Sequence, residues 1–159
     1  MARQLVIPLL AALLLSACES REVDKDLRIV DVSTGWYDAG AQDNGSNKLV
    51  PSVSLELENV SDRDIASVQL NAVFRRVGEQ EAWGEHFVSA INSEGLPAGA
   101  MTEPIVLRST LGYTGTQDRL QMLQNGAFVD AKVEVFGKHG SRAWVKMAEF
   151  QIERQLLTR

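Results

Sequence analysis

The sequence predicts an all-β domain, an antiparallel β-sandwich with one short helix at about 117–124. Three observations carry this reading. Apolar and polar residues alternate over several short runs, Gly- and Asn-rich turns separate the runs, and residues 27–159 are enough for one domain with a proper core. A small closed β-barrel is the alternative architecture, because a sequence does not count sheet edges.

Leu27, Ile29 and the pair Val30 and Val32 open a first strand that runs to Trp36-Tyr37. Val53, Leu55 and Leu57 alternate with Ser54, Glu56 and Glu58, the period of a half-buried strand. After the polar turn Asn59 to Asp64, a third run places Ala66, Val68, Leu70, Ala72 and Phe74 on one face. A link this short predicts that the second and third strands pair as an antiparallel hairpin.

The second half follows the same grammar. Strands are expected at Trp83 to Ile91, at Met101 to Arg108 beyond the turn Leu96-Pro97-Ala98-Gly99, and at Ala127 to Phe136. Gly137-Lys138-His139-Gly140 reads as a tight turn into a last strand, Ala143 to Glu153, with Ala148, Phe150 and Ile152 on one face and Trp144 assigned to the same side. The helix is capped by Thr116, carries Asp118 near its positive end, presents Leu120 and Leu123 three apart, and closes at Asn125-Gly126.

The N-terminus has a different character. Arg3 precedes an apolar stretch, Leu5 to Leu15, of about 11 residues, roughly half of what a membrane-spanning helix needs. At its end stands Leu15-Ser16-Ala17-Cys18, an aliphatic residue, two small residues and a cysteine. This tetrad resembles the lipobox of bacterial lipoproteins. The resemblance implies that residues 1–17 are removed as a signal peptide and that the Cys18 thiol carries a diacylglyceryl group. It further implies that the new amine takes a third acyl chain, so that membrane lipid is the first partner. Each buried methylene contributes about 0.8 kcal/mol, and two chains already hold a protein on its membrane. Lipoproteins kept in the inner membrane resemble one another in having Asp after the cysteine, so Glu19 favours the outer membrane over the inner, with the domain facing the periplasm.

Cys18 is the only cysteine, which leaves an exported domain without a disulfide and dependent on its core. Glu19 to Asp26 is charged, with Val23 as its single apolar residue; residues 18–26 therefore read as a lipidated terminus and polar tether, reaching on the order of 25 Å when extended. Losing Arg3 with the leader takes the formal charge from −5 to −6. Excess negative charge without a basic patch argues against a nucleic-acid partner.

No catalytic constellation is legible. His86 and His139 are isolated, there is no H-x-x-x-H or H-E-x-x-H spacing, and no second cysteine exists to complete a metal site. No G-x-S-x-G elbow surrounds a serine, and neither Gly35 nor Gly45 belongs to a phosphate-cradling loop. Glu79, Glu81 and Glu85 flank Trp83, but glycoside chemistry needs two carboxyls facing each other across a sugar, and strand-borne glutamates at this spacing are ordinarily solvated. Asp38 and Asp43, around Asn44-Gly45, are loop and turn residues without EF-hand spacing. Beyond the lipid on Cys18, no cofactor is expected.

Candidates for a partner surface are aromatics outside the alternating runs: Trp36 and Tyr37 beside the Gly/Asn/Asp-rich loop, and Leu111 and Tyr113 before the helix. Asn59-Val60-Ser61 matches a glycosylation acceptor formally and a backbone-bonding turn physically.

The stretch Leu55 to Phe74, with its Asn59-Val60-Ser61 turn and terminal aromatic, followed by Leu96-Pro97-Ala98-Gly99, resembles the immunoglobulin-like modules of the FxLYD type over roughly residues 53–108. The namesake motif is replaced here by Phe74-Arg75-Arg76-Val77-Gly78. The resemblance implies an extracytoplasmic accessory or binding domain with no catalytic residues to carry over. The sequence thus points to a lipid-anchored, non-catalytic module that binds another envelope protein, with a small-ligand or hydrolytic site in a loop-lined cleft as the alternative.

Overall fold

The computed structural model describes residues 22–157, so the leader, the lipobox with Cys18, and the first residues after it lie outside the described residues. The alternating runs become strands that stack as two open sheets in a β-sandwich; no closed barrel forms. In sheet I the order is β5 (Ile105–Arg108), β2 (Asn47–Asn59), β1 (Leu27–Ala41) and β9 (Leu156–Leu157), with β6 (Tyr113–Gly115) beside the start of β2. In sheet II it is β4 (Gly84–Ile91), β3 (Val68–Arg76), β7 (Ala131–His139) and β8 (Val145–Gln151). All neighbours are antiparallel except β1 and β9.

Alternation sets the inward faces. Val53, Leu55 and Leu57 of β2, Leu70, Ala72 and Phe74 of β3, and Val133 and Val135 of β7 have no exposed surface and share one core. Each such large side chain contributes about 1.5–3 kcal/mol by leaving water, which suits a domain with no disulfide.

The predicted β2–β3 hairpin does not form. Their intervening segment carries the chain across the sandwich, β2 pairing with β1, β5 and β6 and β3 with β4 and β7. Alternation specifies which face of a strand is buried, not which strand lies beside it, and two inward faces in opposite sheets satisfy it equally well. The crossing is held by Asn59, which is fully buried. Its side-chain nitrogen donates to the carbonyls of Arg63 (2.8 Å) and Leu96 (2.9 Å), and its oxygen accepts from Ser61 N (3.0 Å) and Ser61 Oγ (2.7 Å). The Asn-x-Ser sequence is therefore a saturated turn, with no amide hydrogen left over.

Three further local expectations are corrected. The tether ends earlier than its charge suggests: Val23–Asp26 form a helical turn, α1, and Val23 enters the core against Gly137, leaving only about four residues between Cys18 and the folded body. The helix α2 is Arg119–Gln124, and its cap is Asp118, whose carboxylate accepts from Leu120 N at 3.0 Å, not Thr116. Met122 and Leu123 are its buried residues, while Leu120 faces solvent. Gly137 to His139 belong to β7, and the reversal comes at Gly140, whose φ of 55° suits glycine.

Trp144 is also on the other side from that expected. A register shift in the β7–β8 pair places Lys146 opposite Phe136 but Ala148 opposite Val135. The extra residue reverses the phase of the strand, sending Ala148 and Phe150 inward and Trp144 outward.

The C-terminal segment closes the other edge. Thr34 Oγ1 donates to Gln151 O at 3.0 Å and accepts from Glu153 N at 3.1 Å, and Gln155 Nε2 donates to Thr34 O at 2.6 Å. A Cβ on Gly35 would lie 2.7 Å from Leu157 Cγ, so glycine there serves the close approach of β9.

Candidate interaction surface

The four aromatic and apolar residues singled out at the sequence level do not form one surface. Consecutive residues of a strand point to opposite faces, and β1 separates Trp36 from Tyr37 accordingly. Trp36 points inward and has no exposed surface. It anchors an aromatic cluster, with ring centroids 4.6 Å from Phe128, 5.7 Å from Tyr113 and 6.2 Å from Trp83. Tyr113 is half-buried in this cluster, 4.6 Å from Phe128, and its hydroxyl donates to Val129 O at 3.2 Å. Tyr37 lies on the outer face of sheet I beneath the Arg108 guanidinium, 3.6 Å from its ring centroid. Leu111 alone of the four is exposed, at 52%.

Leu111 and the exposed Leu120 belong to the segment between β5 and β7, which covers the aromatic cluster at the end of the sandwich opposite α1. Arg154 fixes this segment: its guanidinium donates to Asp130 Oδ1 (2.6 Å), Phe128 O (2.8 Å) and Leu123 O (3.2 Å), and lies over the Phe128 ring. Arg119 of α2 pairs with Asp38 at 2.7 Å, tying the helix to β1. Lys48 Nζ donates to Thr110 O at 3.2 Å and Leu111 N donates to Ser109 Oγ at 3.1 Å, so Leu111 as well as Leu120 stands on a braced stretch of this segment.

The titratable residues considered at the sequence level are scattered. His86 Nδ1 accepts from Arg108 N at 2.8 Å, joining the β4 and β5 edges of the two sheets. His139 ends β7 at the opposite pole. Glu79 pairs with Arg76 at 2.8 Å, and Asp38 also accepts from Gly40 N at 2.9 Å. Among the described residues no group of three or more His, Cys, Asp or Glu side chains could hold a metal ion. Among those same residues no helix is long and apolar enough to cross a membrane.

The outer face of sheet II is divided in two. Toward one end, Glu134 accepts from Arg75 Nε (2.8 Å) and Lys146 Nζ (2.7 Å), while Glu149 pairs with Lys146 (2.7 Å) and Lys132 (3.3 Å). Hydrogen bonds from Arg75 and Lys146 hold the Glu134 carboxyl down at about 2. Toward the α1 end the face turns aromatic: Trp144 lies edge-on to Phe87, with centroids 6.0 Å apart, and Lys138 Nζ sits 4.9 Å from the Trp144 ring. Phe87 and Trp144 are both exposed, at 55% and 40%. Nothing in the sequence pattern marks this pair, because the register shift that brings Trp144 outward is a property of the assembled sheet.

Two clefts flank α1. One of about 550 Å³ opens between β1 and β8 over Leu27, Ile29, Val32, Met147 and Phe150. The other, of about 560 Å³, lies between Glu22 to Asp24 and the residues His139, Arg142, Ala143 and Val145.

No family model matches the chain, and no curated protein matches its sequence. Among solved structures it is similar to the X-ray structure of Northeast Structural Genomics Consortium target SoR45, with 10% identity over 82% of this chain and 89% of that one and a TM-score of 0.45.

Proposed function

We propose that the protein is a lipoprotein anchored through Cys18, a non-catalytic module that holds a binding surface for another envelope protein close to the membrane. The observation that carries this reading is Leu15-Ser16-Ala17-Cys18 at the end of an apolar leader too short to span a bilayer. The arrangement of the domain supports it. The chain enters the fold at α1, and the braced, apolar Leu111 and Leu120 stand at the other end, where a partner of the anchored domain would meet them. Exposed apolar side chains on a rigid support suit protein recognition because little freedom is lost on binding.

Replacing Cys18 with Ala tests the anchor. The expected product is an uncleaved precursor without lipid; normal mature protein in the membrane fraction refutes the reading. For the partner, a photo-crosslinker at Leu111 in intact envelopes should give one discrete adduct that Leu120→Asp abolishes. A small molecule retained by the purified domain, with no adduct, would favour the cleft-based alternative.

A further inference from the structure

We propose that the aromatic patch of Trp144 and Phe87, at the α1 end of the outer face of sheet II, touches the bilayer as a second contact beside the lipid anchor. This rests on the anchoring of Cys18 proposed above and goes beyond it, because an anchor alone leaves the orientation of the domain free.

Chain length decides which face is available. Cys18 and Glu22 are four residues apart, so the lipid attachment lies no more than about 14 Å from Glu22. Glu22 shares a cleft with Arg142, Ala143 and Val145, the residues on either side of Trp144. The loop that carries Trp144 thus lies where the chain leaves the fold toward Cys18. Docking of Val23 keeps this exit point fixed on the domain, since α1 packs against β7, β8 and β1.

The chemistry of the face fits an interfacial contact. Trp144 and Phe87 are exposed apolar rings, and tryptophan favours the headgroup layer, where its body is shielded from water and its N–H stays wet. Lys138 sits over the Trp144 ring with a long apolar stem and a charged tip, the form that reaches from an apolar layer to water. Glu22 and Asp24 share the cleft with Arg142, so the charges are mixed, and the contact depends on aromatic insertion more than on attraction to anionic lipid. A flat stacking site for a sugar is disfavoured, since the two rings meet at 80° and Lys138 already covers Trp144. The charged ladder of Glu134 and Glu149 occupies the remainder of the same face and stays in water.

The test uses the full lipidated protein reconstituted into vesicles of phosphatidylethanolamine and phosphatidylglycerol, with and without phospholipid brominated along its acyl chains. Trp36 and Trp83, in the aromatic cluster at the far end, serve as internal references. Brominated lipid is expected to reduce the emission of the wild-type protein, and Trp144→Phe should abolish that loss. In the Trp144→Phe background, a reporter introduced by Leu111→Trp should remain unquenched. Protein that floats with the vesicles but shows the same emission with and without bromine overturns the proposal and leaves the face open to a protein partner. Equal quenching of the Leu111→Trp reporter overturns it too. Protein that does not float at all refutes the anchor itself, so the two failures are distinguishable.

Discussion

The Asn59 side-chain amide donates a 2.9 Å hydrogen bond to the Leu96 carbonyl, fastening the segment that crosses between the sheets to the turn that leads toward β5. The same amide group makes three further bonds, all inside a residue with no exposed surface. Asn59→Ala removes all four of these bonds and leaves the Ser61 N–H without its acceptor, although the Leu96 carbonyl keeps Ile65 N and the Arg63 carbonyl keeps the Ser61 hydroxyl; it should cost about 1–3 kcal/mol. Asn59→Asp keeps the acceptor but buries a charge, and should be at least as damaging. Urea unfolding midpoints measure both.

Gly112→Ala should be far more disruptive than Gly126→Ala. A Cβ at Gly112 would stand 2.1 Å from the Leu49 carbonyl oxygen, so either β6 or β2 has to move, whereas nothing lies within 4 Å of a Cβ at Gly126. A loss of about 2 kcal/mol or more is expected for the first and less than about 0.5 kcal/mol for the second. Thermal unfolding of the two variants side by side provides the comparison.

Acid should weaken the fold through Glu134. Its carboxyl titrates at about 2 in the folded chain against an ordinary 4.5, so its contribution is complete above pH 4.5 and disappears as the pH falls toward 2. About 1–2 kcal/mol is expected from this group, below the full linkage value because the ladder lies on a solvent-facing sheet surface. Glu149 is shifted in the same direction by Lys146 and Lys132 and steepens the same limb. Glu134→Gln should flatten the stability profile between pH 4.5 and 2, as read from denaturant midpoints across that range.

Val23→Asp should release α1 from the body. A carboxylate cannot take the buried place of Val23 beside Gly137, and the loss is about 2 kcal/mol. Limited proteolysis after Lys25 should then become rapid while the remaining strands stay protected. Unchanged cleavage would contradict the docking of the turn.

The strands were legible because a period of two survives in Val53, Leu55 and Leu57 and in Leu70, Ala72 and Phe74 whatever lies beside them. Neighbour identity is not legible, since alternation marks the buried face of β2 and of β3 but not the strand beside each, and the Asn59 bonds that hold the crossing have no period. Trp36 reads as a surface residue because it adjoins a polar loop, yet the strand containing Trp36-Tyr37 exposes only one of the two, and Trp36 is the buried one. Val23 was hidden by the charged residues around it, for a single apolar side chain has no period. The side of Trp144 is hidden in the sequence because the one extra residue of a bulge reverses the phase of everything before it.

Placing β2 and β3 in opposite sheets also sets the order in which the molecule can be built. The central partner of β3 is β7, with Val68 opposite His139 and Arg76 opposite Ala131, so sheet II has no interior until residues 131–139 have joined it. Before then β3 and β4 are a two-stranded ribbon with an unfilled edge, and such ribbons are marginal in water. Sheet II therefore closes late and mainly through contacts distant in sequence, which makes folding slow for a chain of this length.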